Sequence, residues 1–189
     1  MKALEFRQNS MSRKRKNERS VPIFLHDLAH DDARAALRDG APVYLPVNPV
    51  EHHGPHLSLR NDALITGGLV RDLHRALGET GPLLQASDLE CGVDPVPGPG
   101  SRPVAYPVVS EMVATACDAL ADLGAQRVVL MTFHGSPLHN VPLDRGAARL
   151  QREGGDAGNV DPDGDLVRGG IERAARGLVL AEGAVERAP

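Results

Sequence analysis

From residue 41 onward the chain switches repeatedly between two hydrophobic periods, and that alternation restricts its fold more than any other feature. The run APVYLPVNPV is almost wholly apolar between Gly40 and the Asn48-Pro49 turn signal, which suits a strand buried on both faces. DALITGGLVRDLHRAL then brings Leu64, Ile65, Leu69, Val70, Leu73 and Leu77 onto one helical stripe ending at Gly78. GPLLQASDLECG reads as a further strand, and DPVPGPGSRPVAYP as a Pro/Gly-rich loop that cannot join a regular ladder. VVSEMVATACDALADLG predicts a second helix with Val109, Met112, Val113, Ala116, Leu120 and Leu123 inward and Gly124 as its stop; AQRVVLMTF resumes as a strand. Upstream, DLAHDDARAALRDG predicts a short helix capped by Asp27 or Asp31, with Ala33, Ala36 and Leu37 on one face. Strand, helix, strand, helix, strand with short connections is the pattern of right-handed βαβ units. It predicts an α/β three-layer sandwich with a mainly parallel sheet.

Composition narrows the function classes. A chain of 189 residues suits one domain, and a net charge of -4 gives no electrostatic footprint for nucleic acid. The basic run RKRKNER, Arg13 to Arg19, lies in a polar leader and reads as solvated chain; with no Trp and only two Tyr, no aromatic platform for bases accompanies it. No segment is apolar enough for a secretory signal or a bilayer span, so the expectation is a cytoplasmic protein without membrane partners. Cys91 and Cys117 fit reduced, packed thiols. The expected division is a disordered basic leader at 1–20, an α/β domain at 21–153 and an atypical tail at 154–189.

In parallel sheets ligands bind beyond the carboxyl ends of the strands, and both histidine clusters of this chain fall there. EHHGPH follows the strand at Tyr44 to Val47, and HGSPLHN follows the strand at Arg127 to Phe133. Glu51 and His53 are two apart, so an extended chain points both to one face and turns His52 away. Gly54-Pro55 forces a turn, and the loop returns a carboxylate, Asp62, at the start of a helix. His134, just past the second strand, is the natural fourth ligand. A mixed Glu, His and Asp set suits zinc or manganese better than a soft metal. The H-E-x-x-H helix, Walker A, G-x-G-x-x-G and G-x-S-x-G are all absent, which leaves metal-assisted hydrolysis as the leading chemistry.

YLPVNPVEHHGPHLSLRNDALI resembles the signature of the creatininase (creatinine amidohydrolase) family: a strand leading into Glu-x-His-Gly-Pro-His-Leu, with an Asp eleven positions after the Glu. RVVLMTFHGSPLHN is similar to the family's second motif, an apolar strand ending in Asn-Gly-His-Gly-Gly-Asn, with His134 at the histidine position. The resemblance runs from about residue 23 to about residue 152. It implies an oligomeric α/β sandwich with two divalent ions, Zn²⁺ or Mn²⁺, sharing an aspartate bridge. By that resemblance Glu51 and His134 bind one ion, His53 the other, Asp62 bridges them, and His56 orients a ligand. It also implies a small-molecule amide substrate, hydrolysed at the C–N bond of an amide, cyclic amide or formamide by a metal-bound hydroxide.

The departures are equally specific. Two positions after the motif histidine, where the family offers a carboxylate, stands Ser136, with His139 as an alternative donor on a turn in SPLHNVP. The family's C-terminal glutamate motif has no counterpart after Leu150, so the expectation is a C-terminally shortened or altered member. ECGVDPVPGPGSRP, with Asp94 near a family serine position, replaces the segment that shapes the family's substrate pocket, so creatinine is not implied as the substrate. The rival reading is a catalytically degenerate fragment that keeps a metal-binding loop.

Overall fold

The computed structural model describes residues 21–153, so the expectations for 1–20 and 154–189 lie outside it. Four parallel strands form one sheet: β1 (Ile23–Phe24), β2 (Val43–Pro46), β3 (Leu84–Gln85) and β4 (Val128–Met131), in the spatial order β1-β3-β2-β4. The helices are α1 (His30–Leu37), α2 (Asn61–Ala76), α3 (Tyr106–Leu123) and α4 (Pro137–Glu153). Val43 through Pro46 pair with Val128 through Met131, and Val43 and Tyr44 also pair with Leu84 and Gln85. β2 is therefore central, and all four of its residues are buried, as its unbroken apolar run requires.

The period of two along the strands separates two cores. Val43, Leu45, Leu84, Val128 and Leu130 face a large cluster completed by Ala33 and Leu37 of α1, Val109, Val113, Cys117 and Leu120 of α3, and Leu143, Ala147 and Leu150 of α4. Tyr44, Val129 and Met131 face the other way, onto Val70 and Leu73 of α2. Each Val or Leu taken out of water contributes about 1.5–3 kcal/mol before chain entropy is charged. α2 covers one face of the sheet while α3 and α4 cover the other, and the loops after β2, β3 and β4 leave the carboxyl edge, where parallel sheets bind ligands.

The expected α/β sandwich is present, with local differences. The expected stripe of α2 is only in part its buried face: Val70 and Leu73 pack inward, but Leu64 is 64% exposed and Leu77 50%, while Asp62, Thr66, Val70 and His74 are buried at intervals of four. Polar demands rotate the helix, because Thr66 Oγ1 bonds to Asn48, and Tyr44 Oη and the His74 ring bond across the small core. Neither Asp27 nor Asp31 caps α1; Ala29 is its cap residue, and Asp31 sits in the first turn. The turn expected at SPLHNVP is instead the start of α4, which runs through Pro142. His139, Pro142, Leu143, Gly146, Ala147 and Leu150 form its buried stripe, a period obscured by the proline and by two small residues. α3 ends at Gly124 in the left-handed conformation, as its sequence signals. No described helix is long and apolar enough to cross a membrane.

Candidate metal centre

Three strand exits converge beyond the carboxyl end of β2. The β2 exit carries Glu51 and His53, and its loop folds back so that the Glu51 N–H donates to Leu59 O at 3.0 Å. That return delivers Asp62 as the second residue of α2, where the helix N-terminus favours its charge. The β4 exit carries His134. Glu51 and Asp62 are each only 2% exposed and His134 4%, and one ligand atom from each of these three lies within 4.8 Å of the others. His53 Nε2 stands 3.3 Å from Glu51 Oε1 and 3.0 Å from Asp62 Oδ1. His134 Nδ1 stands 3.4 Å from Glu51 Oε1 and 3.6 Å from Asp62 Oδ2. The two oxygens of Asp62 are thus presented to two different histidines.

The hydrogen bonds around the cluster assign its protons. His134 Nε2–H donates to Val93 O at 2.9 Å, which turns Nδ1 toward two carboxylates. Glu51 Oε2 accepts the Val96 N–H at 2.6 Å, leaving Oε1 toward the histidines. His53 Nε2 and Asp62 Oδ2 are buried without hydrogen-bond partners. Buried acceptors that face one another without a donor are costly unless a cation or a proton lies among them. Burial pushes the Asp62 carboxyl up, but its interaction with His134 and the charges on His53 and His134 bring it below its ordinary range. Burial lowers His134, but Asp62, the Val93 carbonyl and Glu51 outweigh it and raise the ring. The donor set, two carboxylates and two imidazoles with the outer Nε2 of His134 and Oε2 of Glu51 already fixed, fits a zinc- or manganese-type ion.

His139, the alternative donor, is fully buried beside His134, their ring centroids 5.0 Å apart. Both its nitrogens are spent on backbone: Nε2–H donates to Val47 O at 3.2 Å, and Nδ1 accepts the Val93 N–H at 3.4 Å. Burial holds its pKa down at about 4, so the ring is a neutral brace between β2, the loop after β3 and α4. His56 stands exposed on the turn after Gly54, and among the described residues no hydrogen bond joins it to the cluster. Ser136 is partly buried at the start of α4 and takes the His139 N–H on its carbonyl. Burial pushes the Cys91 thiol up to about 11, which removes it as a nucleophile.

Several supporting groups escaped sequence reasoning. The Pro/Gly-rich loop after β3 is a strap: Val93 holds both His134 and His139, Val96 holds Glu51, and Ser101 Oγ accepts the His52 N–H at 2.9 Å and donates to Val96 O at 2.6 Å. Backbone donors leave no residue-type signal, so only the clustering of Pro and Gly pointed there. Gly98 lets the strap lie against His52, since a Cβ there would come within 2.6 Å of the His52 Cβ and Cγ. Gly98→Ala is expected to cost about 1–3 kcal/mol through this overlap. Thermal unfolding checks it, and an unchanged Tm would show that the strap can move aside.

A family model described as creatinine amidohydrolase (Creatininase) matches residues 26–184, a span that continues into the stretch where no family motif was found. No curated protein gives a significant match. Among solved structures, a crystal structure of creatinine amidohydrolase superposes with a TM-score of 0.57 at 22% identity, covering 74% of this chain and 56% of that one. A creatininase described as the Mn form gives a TM-score of 0.57 at 21% identity, covering 72% and 56%. A mutant creatininase of Zn-Zn type gives 0.57 at 21%, covering 71% and 53%. The alignment therefore spans little more than half the length of these solved chains. The shared sheet, the convergence of Glu51, Asp62 and His134, and a family match over most of the sequence establish that the chain belongs to the creatininase (creatinine amidohydrolase) family.

Proposed function

We propose that this chain is a metal-dependent amidohydrolase that cleaves the C–N bond of a small amide, cyclic amide or formamide. The observation that carries this reading is that His53 Nε2 and Asp62 Oδ2 are buried without hydrogen-bond partners in a cluster where His134 Nδ1 also faces the carboxylates of Glu51 and Asp62. Glu51, Asp62 and His134 would hold one divalent ion, and His53 with Asp62 a second. Bound there, such ions supply Lewis-acid polarisation of a carbonyl and make water acidic enough to act near neutral pH.

The protein's own groups do the rest. Val96 N–H fixes one Glu51 oxygen so that the other stays turned inward, and the Val93 carbonyl keeps the His134 proton on Nε2. The low exposure of Glu51, Asp62 and His134 keeps bulk water from competing for the carboxylates. Exposed Val96, Phe133 and Leu138, each adjoining a site segment, offer apolar surface to a small organic substrate. The reading includes a homo-oligomer, supported by the exposed Leu64, Leu69 and Leu77 along α2.

The test is to strip the purified chain of metal, reload it with Zn²⁺ or Mn²⁺, and follow amine or acid release from a panel of linear amides, cyclic amides and formamides. Hydrolysis that appears only in the reloaded enzyme is expected. Stoichiometric metal with no hydrolysis of any panel member would favour the degenerate reading, for which Ser136 in place of an acidic residue is the supporting observation.

A further inference from the structure

We propose that Asn48 is a positioning residue that sets the mutual placement of the metal ligands, an inference that rests on the metal reading of the cluster. Asn48 is 2% exposed at the end of β2, three residues before Glu51. Its Oδ1 accepts from Thr66 Oγ1 at 3.0 Å, from the Phe133 N–H at 3.1 Å and from Thr132 Oγ1 at 3.4 Å. Each donor belongs to a segment carrying a ligand. Thr66 lies one helical turn after Asp62 on the same face of α2, Phe133 directly precedes His134, and Thr132 Oγ1 also accepts the His134 N–H at 3.1 Å. The Asn48 N–H meanwhile donates to Leu89 O at 3.0 Å, tying in the β3 exit that leads to the strap. One amide oxygen therefore joins the three segments that bring Glu51, Asp62 and His134 together.

The cost of the arrangement points the same way. Asn48 Nδ2 is buried with no acceptor, a loss of about 1–3 kcal/mol that a purely structural position would be expected to shed. A carboxylate would satisfy the same donors without an orphan N–H, but it would add a third buried negative charge near Glu51 and Asp62. Asparagine supplies the acceptor without the charge. In the sequence Asn48 is legible only as a turn signal, because its partners are 18, 84 and 85 residues away.

The experiment uses the full chain, stripped of metal and titrated with Mn²⁺ by calorimetry, beside thermal unfolding of the metal-free protein. Thr66→Val keeps the side-chain shape and removes only the hydroxyl that links α2 to Asn48. It is expected to weaken Mn²⁺ binding about 10-fold or more while the metal-free Tm stays within a few degrees of wild type. Thr66→Ser, which keeps the hydroxyl, is expected to bind as wild type does. Asn48→Ala is expected to weaken binding at least as much, and the double variant no further, since both remove the same link. Wild-type affinity in Thr66→Val, or equal losses in Thr66→Ser and Thr66→Val, would overturn the role of Asn48 alone. A wild-type chain with no saturable Mn²⁺ binding would overturn the metal reading and this inference together.

Discussion

Asp62→Asn is expected to abolish stoichiometric metal binding, with affinity falling about 100-fold or more, while the metal-free chain remains folded. The substitution preserves shape and one carbonyl oxygen but removes the charge and the second acceptor. Among the described residues Asp62 is the group whose two oxygens face both histidines, Oδ1 toward His53 and Oδ2 toward His134. Without the ion, the variant loses the attraction of His53 and His134 that holds the Asp62 carboxyl below its ordinary range, so its metal-free Tm is expected to fall below that of wild type, and the metal effect is read as the shift on adding the ion. With the ion, wild type gains RT ln(1 + [metal]/Kd), about 4 kcal/mol at a thousandfold excess over Kd. For a chain of this size that is about 8–16 °C in Tm. Adding Zn²⁺ or Mn²⁺ should therefore raise the wild-type Tm by that order and leave Asp62→Asn unmoved. Equal metal-induced shifts in the two proteins would remove Asp62 from the ligand set.

His139→Phe is expected to destabilise the chain strongly at pH 7 and much less at pH 4. At neutral pH the imidazole satisfies the Val47 carbonyl and the Val93 N–H inside the core, and phenylalanine satisfies neither. Two orphaned backbone groups cost about 2–6 kcal/mol. Acid removes the advantage of the native ring. Its pKa falls from 6.5 to about 4 on folding, so between those values the unfolded chain binds a proton that the folded chain refuses. The stabilisation is complete above pH 6.5 and is lost as the pH falls through 6.5 toward 4, on the order of 3 kcal/mol in all. Urea unfolding of both proteins in chelator, at pH 7, 5.5 and 4.5, should show the gap in midpoint closing with acid. A gap that stays constant would mean that the ring is not held neutral by burial.

How far the sequence carried the structure depended on the range of the interaction. The unbroken apolar runs VYLP and VVLM and the change to helical spacing after Asp62 report contacts each residue makes with its nearest layer, and these placed β2, β4, α2 and α3. The face of α2 was misplaced because hydrophobicity alone cannot register that Asp62, Thr66 and His74 have polar partners waiting in the interior. The start of α4 was hidden for a related reason. Pro142 reads as a breaker, yet the stripe from His139 to Leu150 is anchored by the core on which it packs. Glu51, His53, Asp62 and His134 were nameable because ligand chemistry is written in residue type. Val93, Val96 and Asn48 were not, because a carbonyl, an N–H and an amide bridging distant segments acquire their roles only once the strands are adjacent.

The proposed cation site joins the oxygens of Glu51 and Asp62 to the imidazole nitrogens of His53 and His134. Pulsed EPR of the stripped chain loaded with Mn²⁺ measures this directly, since a bonded imidazole imprints a ¹⁴N coupling on the ion. The expected result is a nitrogen-coupled Mn²⁺ signal in wild type that weakens in His134→Ala and disappears in the His53→Ala, His134→Ala double variant. A wild-type signal indistinguishable from hydrated Mn²⁺, with no nitrogen coupling, would contradict it.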